Sequence, residues 1–492
     1  MFHGLWNLFS TANTELDDII SSGARSAMTD LQFLSTETQN WLESPRRKLQ
    51  MRGNAYYHYD FDPPRIPIRT DVDGMPIFQP ETDEFVIDNV YANMVDQKVN
   101  YILGKPFSMT TPNDAYAGIL QQIFDKSFLR MLGRTAIDSI NEGLAWVFPY
   151  YAKDGSLRFQ EYPAHEILPF WADAEHTRLD CAIRYYEVVT YEGKQQLNVG
   201  HVELYTSEGI QRFIFRNGSL IPNVEGPGPN VAYATVTDSH GNLVPMQWER
   251  IPLIAFKCNA HEIPLIKRVQ TLQDALNRTR SNWTGTMNKD INTSILAVYG
   301  YEGEDVADLR RKILQYGAVL LANDGRVEVL NVQHGGGEYT EYITQLHKAL
   351  IENARGFDSK DDRMANNPNE MNLRSMYSDI DLDADMMETQ FQAALDRLLW
   401  FVDRHLINTG QGNFTGENVT FTFNRNMIVN DSDAIDNVSK SEGLVSKETL
   451  LAHHPYVTDV KAEQERLDKE QQEERKRLEN DASALQANTS FL

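Results

Sequence analysis

Residues 264–291 read PLIKRVQTLQDALNRTRSNWTGTMNKDI. Leu265, Val269, Leu272 and Leu276 step by four, three and four, and Trp283, Met287 and Ile291 prolong the stripe. One apolar face at that spacing predicts a helix. At 1.5 Å per residue it would run about 28 residues and roughly 40 Å. The period then breaks. SILAVYGY (294–301) reads as a strand and EDVADLRRKILQY (304–316) as a short helix. AVLLANDGRVEVLNV (318–332) reads as two strands turning at Asp324-Gly325. After the hinge-like Gly335-Gly336-Gly337, a second helix carries Tyr339, Ile343, Leu346 and Leu350 on one face. The simplest geometry is an antiparallel helix pair with a small α/β knob at its tip.

Toward the C-terminus, residues 358–374, DSKDDRMANNPNEMNLR, are polar and have no period. A loop of that length tends to be functional or disordered. A third long helix, at about 375–408, carries Met387, Phe391, Leu395, Leu398, Val402 and Leu406. NVTFTFNRNMIV (418–429) reads as a strand. SKETLLAHHPYV (446–457) reads as a helix capped by Ser446 and stopped before Pro455. The polar tail that follows is either a solvated helix held by i,i+4 pairs or disordered.

Toward the N-terminus the chain reads as an α/β region. CAIRYYEVVTY, VGHVELYT and IQRFIFRNGSLI (181–221) continue a strand pattern, and EGPGPN (225–230) is a loop. WVFPYYAKDGSLRFQEY (146–162) reads as two strands around Asp154-Gly155, and 127–143 as a helix. Val90, Met94, Val95, Val99, Ile102 and Leu103 predict another helix, stopped by Gly104 and Pro106. Residues 1–80 look polar and irregular, a loosely packed arm.

With 492 residues, 41% hydrophobic and 24% charged, the chain has room for several domains and a substantial core. Its N-terminus lacks the basic region of a signal peptide, and no run approaches the roughly 20 apolar residues that span a bilayer. The expectation is a soluble protein made in the cytoplasm. Cys181 and Cys258, the only cysteines, read as reduced, partly buried thiols. The formal charge of −24 speaks against a protein that grips DNA, but not against one that lets DNA slide past.

Enzyme motifs fail one by one. YILGKP (101–106) lacks the first glycine of a phosphate loop and puts Pro106 after Lys105. GPGPNV (226–231) lacks a third glycine. His261-Glu262 begins like a zinc-protease helix, but position 265 is leucine and Pro264 is incompatible with that helix interior. Asp379, Asp381, Asp383 and Asp385 form the most tempting cluster. A calcium loop would need glycine at Ala384 and glutamate at Gln390. The cluster reads first as an acidic opening turn of the third helix, complementing its dipole. An adventitious ion site and a metal-dependent nuclease or phosphotransfer centre are the alternatives. His453-His454 has no spaced co-ligand. Lys267, Arg268, Arg278 and Arg280 fit a phosphate contact, a solvated face or ion pairs between subunits. The expectation is no catalytic site, no cofactor and no bound metal.

Three strings go further. VYANMVDQKVNYILGKPFSM (90–109) resembles the N-terminal signature of the siphophage portal proteins, with Val95-Asp96 and then Tyr101 to Pro106. EGLAWVFPYYAKDGSLRFQEYPAHEILPFWAD (142–173) resembles the next block of that family. GLVSKETLLAHHPYVTDVKAEQERLDKE (443–470) is similar to its C-terminal block. The pattern lapses at 369–373, where the family often has Ser-Gly.

The resemblance implies an α+β portal fold with wing, long-helix stem, small α/β clip, tunnel loop and helical crown, assembled as a dodecameric ring. It maps residues 1–80 to an N-terminal arm, 81–263 to the wing and 264–293 to a stem helix. Residues 294–334 become the clip, 335–357 the second stem helix and 358–374 the tunnel loop. Residues 375–429 become the long helix with a wing strand, and 430–492 the crown and tail. Lys360, Arg363, Asn366, Asn367 and Arg374 then fall in or beside the channel loop. Arg310, Arg311 and Lys312 fall on the clip, fit for docking or equally a solvated face. The implied partners are double-stranded DNA, the terminase large subunit, scaffolding and major capsid proteins, and head-completion or tail adaptor proteins, with no membrane. The implied place is the virion's portal vertex.

Overall fold

The computed structural model describes residues 31–61, 67–70, 76–78, 85–192, 195–237, 240, 242–290, 295–299, 325–330, 336–358, 370–425, 431–452, 454–457 and 460–489. They form two compact units. The first comprises the chain to Gly356 together with Asp383–Asn424, and the second comprises Phe357–Leu382 with Arg425–Leu492. Helix and sheet are mixed, with helix predominating.

The first unit is built on two antiparallel sheets, beside the short strand pairs β1 (Pro67–Thr70) with β2 (Pro76–Phe78), β3 (Ser108–Thr110) with β17 (Thr420–Thr422) and β12 (Ala234–Thr237) with β13 (Leu243–Met246). In the smaller, β4 (Leu144–Tyr151) lies between β14 (Ile254–Lys257) and β5 (Leu157–Pro163). Leu144, Ala145, Trp146 and Val147 are all buried, as expected of a strand covered on both faces. The β4–β5 turn falls at Asp154-Gly155 as the sequence predicts, with Gly155 at φ +79°. The larger sheet runs β10 (Ser219–Pro222), β9 (Gly209–Arg216), β8 (Gln195–Thr206), β7 (Leu179–Glu192), β6 (Ile167–Trp171), with β11 (Asn230–Val231) also on β9. Alternate residues such as Cys181, Ile183 and Tyr185 face one side, where they meet Leu34.

Leu34 corrects the sequence reading. Residues 31–57 are not an irregular arm but two helices, α1 (Leu31–Glu43) and α2 (Pro45–Tyr57). Their inward faces are largely small or polar, which hid the period. Thr38 and Gln50 are buried beside Leu34 and Trp41. Thr38 Oγ1 donates to the Leu34 carbonyl at 2.7 Å, satisfying its own hydroxyl. Gly53 lets α2 close on a third helix, since a Cβ there would lie 1.9 Å from the Asn141 carbonyl oxygen.

The α3 helix (Val90–Leu103) starts where the stripe predicts, with the Asn89 side chain accepting from the Ala92 amide. Its stop is not a left-handed glycine. Gly104 keeps φ −64°, and Pro106 ends the run. The short α4 (Asp114–Ile123) was not legible, whereas α5 (Lys126–Glu142) matches its apolar run.

The long stripe becomes α6 (Ile266–Asp290), and its partner is α7 (Gly336–Asn353). Ile343, Leu346 and Leu350 are buried as their spacing requires. The pair is antiparallel. Trp283 near the end of α6 stacks on Tyr339 near the start of α7, ring centroids 6.1 Å apart. Between the helices, β15 (Ile295–Tyr299) pairs with β16 (Arg326–Leu330). The remainder of the predicted knob, including Arg310, Arg311 and Lys312, lies outside the described residues.

The third helix, α8, spans Glu370–Asn408 and so starts before the predicted position 375. Residues 370–374 are therefore helix rather than loop. Phe391, Ala394, Leu395, Leu398, Val402 and Leu406 are fully buried along it, and Phe391 meets Phe256 of β14 edge to face at 5.2 Å. In the second unit, Phe357 stacks on Tyr377 at 4.4 Å. That unit also holds α9 (Asp431–Lys440), α10 (Lys447–Ala452), with Ser446 accepting from the Thr449 amide, and α11 (Val460–Thr489). The polar tail is thus a helix, with Arg466 and Glu463 paired at 2.8 Å.

Candidate functional site: two carboxylates at the root of the long helix pair

The antiparallel pair is anchored where α6 begins and α7 ends, and one carboxylate does most of the anchoring. Asp383 lies about three and a half turns into α8, with its side chain 17% exposed. Its Oδ2 accepts from Lys98 Nζ of α3 at 2.8 Å, and its Oδ1 from Arg355 Nη1 just past α7 at 2.9 Å. Arg268 Nη1, in the first turn of α6, stands 3.8 Å from Oδ2. Lys98 Nζ also donates to the Arg355 carbonyl at 3.1 Å. Arg355 is thus held by both backbone and side chain, in a left-handed conformation at φ +50°. Lys98 is only 7% exposed, among Val95, Val99 and Ile102 of its own helix. Burial pushes its pKa down, against the opposing charge and hydrogen bond of Asp383.

Glu262 does the same work just before α6. It sits at φ +55°, so His261-Glu262 does not start a helix. Its carboxylate accepts from Arg46 Nη2 at 2.6 Å, lies 3.1 Å from Lys257 Nζ and is 2.7 Å from His176 Nδ1. Burial alone would raise its pKa. The hydrogen bond to His176 and the charges of Arg46 and Lys257 outweigh that and hold it below the ordinary carboxylate range. Its backbone closes on Gly143, where φ is +91° and a Cβ would lie 2.2 Å from the Glu262 carbonyl oxygen. A cleft of about 760 Å³ beside it is also lined by Lys267.

A third buried carboxylate has the opposite environment. Glu161 of β5 is 9% exposed and faces Asp138 of α5, with Arg134 Nε 3.7 Å away. Burial pushes both carboxyls up; the hydrogen bond and charge of Asp138 raise Glu161 further, whereas the hydrogen bond with Glu161 opposes the rise of Asp138.

The tempting acidic cluster has a different role from those expected of it. Because α8 starts at Glu370, Asp379–Asp385 are not its opening turn, and the dipole reading is wrong. Residues two apart on a helix point in different directions. Asp381 pairs with Arg425 at 2.8 Å, whereas Asp383 holds its own three cations. Among the described residues no group of three His, Cys, Asp or Glu is placed to hold a metal ion. Of the basic residues on α6, Arg268 and Arg280 are spent within the chain, Arg280 on Asp88 at 2.8 Å. Lys360, Arg363, Asn366 and Asn367 lie outside the described residues, and Arg374 falls within α8. Burial pushes the Cys181 and Cys258 thiols up to about 12, and neither is in a disulfide. No described helix is long and apolar enough to cross a membrane.

The family model for phage portal proteins of the SPP1 Gp6-like type matches residues 79–477. The chain belongs to this portal family. It is 23% identical over 481 residues to the portal protein of Bacillus phage SPP1, covering 95% of this chain and 92% of that one. It is 21% identical over 394 residues to the portal protein of Clostridium phage phiCD119, covering 77% and 83%. Among solved structures it is similar to the neck of a native GTA particle computed with C12 symmetry. That likeness has a TM-score of 0.41 at 12% identity, covering 76% of this chain and 91% of that one. The neck of an empty GTA particle computed with C6 symmetry gives 0.40 at 10% identity, covering 75% and 90%. The function is that of a phage portal protein, a structural rather than enzymatic family whose members sit at the virion's portal vertex.

Proposed function

We propose that copies of this portal protein form a dodecameric ring at the unique capsid vertex, through which double-stranded DNA enters during packaging and leaves during ejection. The match to the portal family along residues 79–477 carries this reading. The long helix pair α6–α7 serves as the stem, residues 294–334 as the clip and residues 81–263 as the wing. The segment before α8 serves as the tunnel loop, and residues 430–492 as the crown and tail. The Asp383 cluster fixes the root of the stem at the point where the chain leaves for the tunnel loop. A net charge of −24 per copy discourages phosphates from sticking, while Lys360, Arg363 and Arg374 guide the strand, with Asn366 and Asn367 beside them.

No motif of the chain binds nucleotide, so a terminase large subunit supplies the power. It docks on the clip through Arg310, Arg311 and Lys312, and head-completion or tail adaptor proteins later take its place. Scaffolding and major capsid proteins meet the wing. No observation favours the nuclease alternative, because Asp381 and Asp383 are committed to cations. The test is packaging in vitro with purified terminase and ATP. Neutralising Lys360, Arg363 and Arg374 together should lower DNA uptake while rings still assemble. Normal uptake by that variant would remove these residues from the channel.

A further inference from the structure

The helices α6 and α7 lie side by side, and each carries charge on the side turned away from the other. Trp283 of α6 and Tyr339 of α7 mark the sides in contact. At about 100° per residue, Lys267, Asp274 and Arg278 lie roughly 140–180° round α6 from Trp283. By the same count, Glu341, Lys348 and Glu352 lie roughly 140–180° round α7 from Tyr339. Lys267, Arg278, Glu341, Lys348 and Glu352 are exposed, whereas Asp274 is half-buried with one oxygen on the Tyr56 hydroxyl. The outer edge of α6 therefore reads plus, minus, plus, and that of α7 reads minus, plus, minus. Within α7, the contact of Lys348 with Glu352 is loose, 3.9 Å between side chains 74% and 64% exposed.

The levels match as well as the signs. Trp283 and Tyr339 share a height, and nine residues from each, toward the root of the pair, stand Asp274 and Lys348. Arg278 and Glu341 lie five and two residues from that height, and Lys267 and Glu352 sixteen and thirteen. Each of these two couples is thus offset by three residues, roughly 4.5 Å, which long side chains can span. In a ring all copies point the same way, so α6 of one copy runs antiparallel to α7 of the next. We infer that the outer edge of α6 binds the outer edge of α7 in a second copy of this chain. Lys267 then meets Glu352, Asp274 meets Lys348 and Arg278 meets Glu341. DNA suits the α6 edge less well, because a phosphate strand would meet Asp274 between the two cations. Exposed ion pairs are individually weak, so the alternation of sign sets partner and register more than strength. The inference rests on the ring assembly proposed above.

The test mixes copies carrying Arg278→Cys with copies carrying Glu341→Cys, assembles them at low salt and adds a short bismaleimide. Neither copy carries both substitutions, so a link between the two positions joins two chains. The expected product is that two-chain species, with the linked peptides identified by mass spectrometry. Rings that form without it, or links that join two α6 edges, would overturn the inference. In parallel, the double variant Lys267→Glu, Arg278→Glu, matched to the parent by circular dichroism, turns attraction into repulsion. It should need at least about tenfold more protein for half-assembly. Adding Glu341→Lys and Glu352→Lys to the same chain should restore half-assembly to within about threefold of the parent. An unchanged half-assembly concentration for the double variant, or no restoration by the second pair, counts against the inference. Double-variant rings that assemble like the parent but take up less DNA would assign this edge to DNA instead. If the parent chain forms no rings under any condition, this inference falls together with the ring. If rings form and only the crosslink or the charge reversal fails, this inference falls alone.

Discussion

Asp383 and Glu262 each hold three basic side chains at the root of the same helix, yet the two clusters differ in what they can release. Asp383 is gripped by Lys98, Arg355 and Arg268. Removing its charge strands a buried ammonium. Glu262 is gripped by Arg46, Lys257 and His176. Lys257 is as buried as Lys98, at 7% exposed, and in each cluster the other two partners are at least 36% exposed and can turn to water. The third partner of Glu262, however, is an imidazole rather than an ammonium or guanidinium. The first cluster is therefore held by three permanent cations and the second by two. The Asp383 cluster ties the end of the long helix pair to α8.

That contrast yields a graded set of predictions. We predict the largest effect for Asp383→Asn, a loss of about 3–5 kcal/mol in unfolding free energy, because a buried cation is left uncompensated. Urea denaturation checks this. A loss below about 1 kcal/mol would mean that Lys98 has found water. Glu262→Gln should cost less, about 2 kcal/mol, since only two of its three partners are permanent cations. It should also change the acid limb of stability. The folded pKa of Glu262 lies below its ordinary 4.5, so its contribution is present above that value and lost as pH falls through the lower folded one. Removing Glu262 should flatten the stability profile below pH 4.5, and an unchanged acid limb would contradict the assignment.

Glu161 sharpens the comparison from the other side. Its pKa is raised, so the folded chain binds the proton more tightly and stability falls as pH rises above the ordinary 4.5. Glu161→Gln should gain about 1 kcal/mol at pH 8 and little at pH 5. A gain equal at both pH values would point to packing instead. The smallest effect belongs to Asp381→Asn. Its pair with Arg425 is partly exposed, 34% on the acid side, and should be worth under about 1 kcal/mol. Two residues of separation on one helix thus divide the largest loss from the smallest. If Asp381→Asn proved as costly as Asp383→Asn, the hub would not be confined to Asp383.

The helices that carry an aliphatic stripe were legible because burial at a 3.6-residue period writes itself into residue type. Leu265 to Leu276 and Phe391 to Leu406 are of this kind, and α6, α7 and most of α8 follow from them. The helices that failed to show, α1 and α2, use Thr38, Gln50 and Gly53 where aliphatic residues would announce a core. The early start of α8 was hidden because residues 370–374 add turns without adding a visible apolar face. The Asp383 cluster joins positions 285 residues apart, and pairing at that distance leaves no local mark. One sign was present. Lys98 interrupts an apolar stripe at a position where Val95 and Ile102 demand a core residue, and a cation there calls for a buried anion.

The central claim is assembly into a ring, and the mass of the purified protein tests it most directly. Light scattering together with negative-stain images of one sample should give particles of about twelve 56.2 kDa chains around a central hole. A chain that stayed monomeric even with scaffolding protein present would contradict the ring.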